Sequence, residues 1–396
     1  MKKFIQYLDA CALQKDVLET DYFTMIQQIN CNYHFNNIGP QPLFIPLYSK
    51  KSTYLEWQQK HETTVVIPSQ IKKEMKHIDA NISTIDDILK ILEENPYDTM
   101  YEYNIDLKSL HSISDELKQI NNMIGLDNLK KSVVDQLLYF IQNLHIGNDG
   151  DFKHTVLCGP PGTGKTEIAK LLGSLYSKIG VLKSNSFQKV TRSDLIAGYL
   201  GQTAIKTQKV IEKSLGGVLF IDEAYSLADY SQNDSFSKEC IDTICEALSN
   251  HKDNLMVIIA GYEEELDHTF FKANKGLESR FIWRFKMDPY SPKELTQIFL
   301  KKVDDNGWIY EVDTKENNKN DIDKWFVKNK DSFMNYGRDM ESLFTHTKIS
   351  HSRRIYGKSQ DQRKRITMQD LEKGYDTFIK NKKTKSKSNV IIDMYV

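Results

Sequence analysis

Through the middle of the chain, short unbroken apolar runs alternate with amphipathic stretches. HTVLC (154–158), GGVLFIDEA (216–224) and LMVIIAGY (255–262) are the runs. Such runs are expected of strands buried on both faces. Between them, TEIAKLLGSLYS (166–177) and SKECIDTICEALSN (237–250) carry apolar residues at helical spacing. Strands alternating with helices predict an α/β domain around a parallel sheet covered on both faces. Ahead of it, 116–144 reads as a linker, a turn at Gly125 and an amphipathic helix. From residue 291 the pattern is helical only. Ser291 and Glu294 form a capping box with Pro292 at the first helical position, and 366–383 is a second capped helix. The last residues, with KNKKTKSKSN at 380–389, read as a polar basic tail with a frayed, solvated end.

The first 115 residues carry no chemical motif. Helical spacing appears at 25–30 and at 85–94, the latter with Ser83 as a cap; 63–68 suits a strand closed by Pro68, and 38–46 a proline-punctuated loop. The domain plan is therefore a mostly helical region over 1–115, an α/β domain over 116–288, a helical domain over 289–380 and a tail over 381–396.

Composition narrows the class. The 396 residues are 27% charged and 40% hydrophobic, ordinary for a globular protein, and the formal net charge is -1. No global field recruits nucleic acid or an anionic membrane, so either would need a local patch. Five scattered cysteines without a CxxC pair argue against a disulfide framework or zinc site and fit a reducing compartment. Gln6 and Asp9 interrupt the apolar start, and no run reaches the length of a membrane span, so a soluble cytoplasmic protein is expected.

GPPGTGKT, residues Gly159, Pro160, Pro161, Gly162, Thr163, Gly164, Lys165 and Thr166, fits G-x-x-x-x-G-K-[ST] between a strand and a helix. Glycines let backbone N–H groups curl around phosphate oxygens, and the helix N-terminus adds a positive dipole end. Lys165 would reach the β- and γ-phosphates of ATP, and the Thr166 hydroxyl would bind Mg²⁺. The run ending in Asp222–Glu223 supplies the other half. Asp222 suits the Mg²⁺ shell, and Glu223 is placed to polarise a water for attack on the γ-phosphate.

With these in hand, the chain resembles the AAA+ ATPases, in the branch of stage V sporulation protein K and the red-type Rubisco activase (CbbX-like). The resemblance spans about residues 120–377. It rests on IGLDNLKKSV, GPPGTGKT, VTRSDLIAGYLGQTAIKT, GGVLFIDEAYSL, VIIAGY, GLESRF and YGRDMESLF in that order. It implies a P-loop core with a five-stranded parallel sheet, a small helical lid and a homo-oligomeric ring, usually a hexamer, with nucleotide between subunits. In GLESRF, Arg280 matches the arginine that reaches into the neighbour's site, with Glu278 where relatives often have a second arginine. In the lid, Arg338 matches the sensor-2 arginine, and Glu341 stands where another arginine is common. Ala260–Gly261–Tyr262 replaces the usual polar sensor 1, leaving Glu223 to orient the water. Ile124 and Gly125 match the turn against the adenine. Tyr199 and Leu200, between Gly198 and Gly201, match the pore loop that grips a threaded polypeptide.

The function expected is Mg²⁺-dependent ATP hydrolysis that remodels a protein client of unknown identity. The alternatives are a nucleic-acid motor or loader, against which near-neutral charge and an aromatic pore loop argue, and a nucleotide-switched scaffold, against which Glu223 and Arg280 argue. A small-molecule kinase would share the phosphate loop but has no use for the lid and the arginine in trans.

Overall fold

The computed structural model describes residues 73–147, 150–199, 201–228, 234–311 and 321–392. The expected elements at 25–30, 38–46 and 63–68 lie outside these residues. The described chain opens with a short parallel strand pair, Glu74–Lys76 on Tyr101–Tyr103, and four helices: α1 (Ile85–Glu94), α2 (Leu107–Ser112), α3 (Ser114–Asn121) and α4 (Asp127–Ile141). The α/β segment follows as β1 (Thr155–Cys158), α5 (Lys165–Lys178), β2 (Phe187–Val190), α6 (Arg192–Leu195), α7 (Thr203–Ser214), β3 (Val218–Ile221), α8 (Ser235–Asn250), β4 (Met256–Gly261), α9 (Glu263–His268), α10 (Phe270–Ala273) and β5 (Trp283–Lys286). The lid contains α11 (Pro292–Asp305), α12 (Asp321–Asn329), α13 (Tyr336–Ile355) and α14 (Met368–Ile392).

The five strands form one parallel sheet in the order β2-β3-β4-β1-β5. Successive strand residues point to opposite faces. Here both sets are apolar and each meets its own helices. Leu157, Phe220 and Ile258 pack with Val133 and Leu137 of α4 and Leu172 of α5. Val156, Leu219 and Ile259 pack with Ile211 of α7 and Ile241 and Ile244 of α8. That double covering is why β1, β3 and β4 appear as unbroken apolar runs. The outer strands β2 (FQKV) and β5 (WRFK) are only partly buried and carry charge, so no apolar run announces them.

Four local expectations change. The segment 116–122 is not a linker: most of it is α3, whose Leu117 and Ile120 are fully buried and whose Glu116 bonds Ser174 and Lys178 of α5. The cap of α1 is Thr84, not Ser83; its hydroxyl accepts from Asp87 N–H at 3.2 Å and Asp87 Oδ2 accepts from Thr84 N–H at 2.8 Å. Ser83 lies one residue too early for that reciprocal pair. The lid is not wholly helical, since Ile309–Tyr310 pairs in parallel with Arg365–Ile366. And α14 runs on to Ile392, through the segment expected as a frayed tail. The capping box of α11 is present as expected.

Residues 73–115 share a core with the sheet domain. Ile85, Ile88, Leu107 and Leu110 belong to the same buried cluster as α4 and α5, so the division expected at residue 115 falls within one packed unit. Among the described residues no helix is long and apolar enough to cross a membrane.

Candidate nucleotide site

A parallel sheet brings the carboxyl ends of its strands to one edge, where open α/β sheets bind ligands. Gly159 follows β1, Asp222 and Glu223 follow β3, and Gly261 ends β4 between them. Gly159 N–H donates to Gly261 O at 3.1 Å, which ties the root of the phosphate loop to this edge. A cavity of about 340 Å³ opens here, within the usual range for small ligands. Gly162, Lys165, Thr166, Asp222, Glu223 and Arg338 all line it. The residues named separately in the sequence therefore meet in one place.

Loop geometry explains the glycines. Gly162 has φ +76°, and a Cβ there would stand 2.0 Å from Asn335 O. Its own carbonyl accepts from Gly337 N–H at 3.0 Å, so the lid helix α13 starts against the loop and carries Arg338 to the cavity. Lys165 Nζ donates to the carbonyls of Gly159 and Pro160, both at 2.7 Å. Burial pushes this ammonium down to about 8, with Asp222 opposing. Thr163 Oγ1 donates to Pro160 O at 2.9 Å, and Tyr290 Oη to Thr163 O at 3.1 Å. The carbonyls of Gly159, Pro160 and Thr163 thus accept from side chains, and those of Gly162 and Gly164 from backbone N–H groups.

Glu223 adopts φ +52°, ψ +46°, a left-handed conformation that costs a non-glycine residue about 1–2 kcal/mol. The turn Ala224–Leu227 holds it there, with Ser226 N–H donating to Glu223 O at 2.8 Å. Asp222 Oδ2 lies 2.6 Å from Lys189 Nζ of β2, so the carboxylate already faces a cation. Among the described residues no group of three His, Cys, Asp or Glu gathers around a metal position. The Thr166 hydroxyl and the Asp222 carboxylate are hard oxygen donors. That small set fits Mg²⁺, which keeps waters and phosphate oxygens as its other ligands.

Other expected residues lie elsewhere. Ile124 and Gly125 are outside the cavity lining. Gly125, at φ +65°, turns against the lid, where a Cβ would meet Glu294 Oε1 at 2.2 Å and Tyr290 at 3.5 Å. Tyr199 is 75% exposed. Leu200 lies outside the described residues. Sequence reasoning missed several groups on the cavity wall, Tyr225 and Lys302 among them. Tyr225, three residues past Asp222, has its hydroxyl pushed up to about 12 by burial, and its ring lies 6.0 Å from that of Tyr262. Lys302 reaches the wall from α11, 4.0 Å from Glu341. Tyr225 adjoins the acidic pair and was open to inference; Lys302 had no local signal.

Arg280 is at the opposite edge. It precedes β5, and its guanidinium stacks over Phe152, ahead of β1, at 5.8 Å. Beside it His154 is fully buried and neutral. Nδ1 accepts from Val257 N–H at 3.0 Å, Nε2–H donates to Leu248 O at 3.2 Å, and burial pushes the imidazole down to about 3. An unfolded chain protonates this group near 6.5. Between those values the unfolded state holds more protons, so stability falls as pH falls. At pH 5 the loss from this group is about 2 kcal/mol. Urea midpoints should therefore drop between pH 7 and pH 5, and drop less in His154→Gln. Equal drops in both proteins would remove His154 from the account.

Comparison with known proteins bears on this arrangement. The ATPase family associated with various cellular activities (AAA) matches residues 155–281, and the AAA lid domain matches 291–381. A cfxQ-like protein of Acanthamoeba polyphaga mimivirus is 40% identical over 287 residues, 72% of this chain and 70% of its own. Stage V sporulation protein K of Bacillus subtilis is 36% identical over 50% of this chain and 63% of its own. The ESX-1 secretion system protein EccA1 of Mycobacterium tuberculosis is 45% identical over 40% of this chain, but the match spans only 28% of that longer protein. The matched ranges contain the phosphate loop, the acidic pair and the lid, and the chain belongs to the AAA family of ATPases.

Proposed function

We propose that the protein is an ATP-hydrolysing ring, a hexamer, that remodels a protein client by gripping it with the loop around Tyr199. Backbone N–H groups of the phosphate loop and the Lys165 ammonium would hold the β- and γ-phosphates. Thr166 and Asp222 would hold Mg²⁺, which supplies charge neutralisation on those phosphates when bound. Glu223 would take the proton of the attacking water. Arg338 would read the phosphates from the lid. Arg280, an edge away from its own site, would serve the site of the next subunit, since a head-to-tail ring places unlike edges together.

The observation that carries the remodelling reading is the exposed Tyr199. Folding usually hides an aromatic of this size. Here it stands between Gly198 and Gly201, where an added Cβ meets nothing within 4 Å. An aromatic face holds a passing chain by area rather than sequence, which suits varied clients. The loop is also tied to the nucleotide edge. It follows β2, whose Val190 O accepts from Asp222 N–H at 3.0 Å and whose Lys189 pairs with Asp222.

Tyr199→Ala should therefore hydrolyse ATP within about twofold of the parent, because it touches no nucleotide-binding group. Stimulation of hydrolysis by an unstructured test polypeptide should be lost in the variant. Undiminished stimulation in Tyr199→Ala would end the gripping proposal. The relatives' names attach to sporulation and to secretion, two different processes, so the client proposed is a class: a loosely folded polypeptide segment.

A further inference from the structure

Two of the three guanidinium nitrogens of Arg280 are engaged within its own chain. Nε donates to Ser249 Oγ at 2.8 Å, and Nη1 donates to Gly276 O at 2.6 Å. The Phe152 ring covers one face of the group. Among the described residues Nη2 makes no hydrogen bond. Gly276 is fitted to this approach: a Cβ on it would stand 2.8 Å from Nη1 and 3.3 Å from Cys245 Sγ. A long, rotamer-rich side chain is thereby held as a planar fork with one free edge.

The support behind Ser249 reaches the centre of the sheet. Leu248 O, one residue earlier, accepts from the buried His154, which in turn accepts from Val257 N–H of β4. Phe281, next to Arg280, packs against the same imidazole at 5.8 Å. One buried group therefore fixes both the strip that carries the hydroxyl and the strip that carries the arginine. A transition-state donor gains most when it needs no reorganisation at the moment of reaction.

We propose that Ser249 is a positioning residue for Arg280: its hydroxyl sets the guanidinium so that the Nη2 edge is presented to the γ-phosphate held by the neighbouring subunit. This rests on the proposal that Arg280 acts in trans. Ser249 itself touches neither nucleotide nor water in the reaction, and its effect passes through the arginine alone.

The test is a cycle of variants in the full chain, with single-turnover and steady-state ATP hydrolysis, KM for ATP and thermal melting as readouts. Ser249→Ala should lower kcat by about tenfold, the scale of one hydrogen bond to a charged group. KM for ATP should stay within about twofold, because the subunit's own binding site is untouched. Ser249→Thr keeps the hydroxyl and should restore kcat to within about threefold of the parent. In an Arg280→Ala background, Ser249→Ala should cause no further loss, since nothing remains to position. A structural role would lower the melting temperature and subtract again in that background. Parental kcat in Ser249→Ala, or equal losses in both backgrounds, overturns the positioning role while leaving the arginine in trans standing. Parental hydrolysis by Arg280→Ala itself overturns both.

Discussion

Glu223→Gln should bind ATP as the parent does and hydrolyse it at least about a hundredfold more slowly, the usual contribution of a positioned general base. The residue lines one cavity with Lys165 and Thr166, so a carboxylate there would stand beside the phosphates those two groups are proposed to hold. The amide keeps size and shape but accepts no proton. Binding is spared because the groups that would hold phosphate are elsewhere: the loop N–H groups, Lys165 and the Thr166 hydroxyl. The left-handed backbone at Glu223 is fixed by the following turn and not by the side chain's charge, so the substitution leaves the fold in place. Fluorescence of a labelled ATP analogue reports binding and phosphate release reports turnover. A rate within about tenfold of the parent would mean that Glu223 is not the base. A nucleotide-switched scaffold would then be the better description.

The second large effect concerns subunits rather than residues. Arg280→Ala and Lys165→Ala should each hydrolyse ATP about a thousandfold more slowly than the parent, the lower range for removing an arginine finger. Mixed in equal amounts, they should recover activity. An Arg280→Ala subunit has an intact phosphate loop, a Lys165→Ala subunit has an intact arginine, and the two lie on opposite edges of the sheet. In a randomly mixed head-to-tail ring about a quarter of the interfaces join one intact loop to one intact arginine, so recovery towards a quarter of parental activity is expected. The comparison is hydrolysis by the mixture against the sum of the two variants measured separately. A mixture that merely sums its parts would show that no site is shared between subunits. Binding of the ATP analogue separates the two lesions: Lys165→Ala should weaken it, and Arg280→Ala should not.

Both effects depend on features that entered the sequence in different ways. The phosphate loop was open to reading because phosphate is held by consecutive backbone N–H groups, and that requires glycines at fixed offsets before a helix. Asp222 and Glu223 were open to reading because they end an apolar run, and strand β3 is apolar throughout since helices cover it on both faces. β2 and β5 gave no such signal. An outer strand is less covered, so Gln188, Lys189, Arg284 and Lys286 are tolerated and the apolar pattern dissolves. The cap of α1 was misplaced by one residue because Ser83 and Thr84 are both capping types, and only the reciprocal bond with Asp87 selects Thr84.

Sequence by itself determined the alternation of strands and helices, the phosphate loop, the acidic pair and the capped start of the lid. Each is a contiguous run whose chemistry lies in neighbouring residues. Tertiary structure alone decided what depends on groups far apart in the chain. The parallel register set Lys189 against Asp222, and the seating of α13 on Gly162 brought Arg338 to the wall that Lys302 reaches from α11. It also carried Arg280 to the edge opposite its own phosphate loop, held by Ser249, Gly276 and Phe152. The physical reason is that hydrogen bonds and ion pairs act over a few ångströms of space. Sequence spacing fixes that distance within one helix or one turn, and between separate elements only packing does.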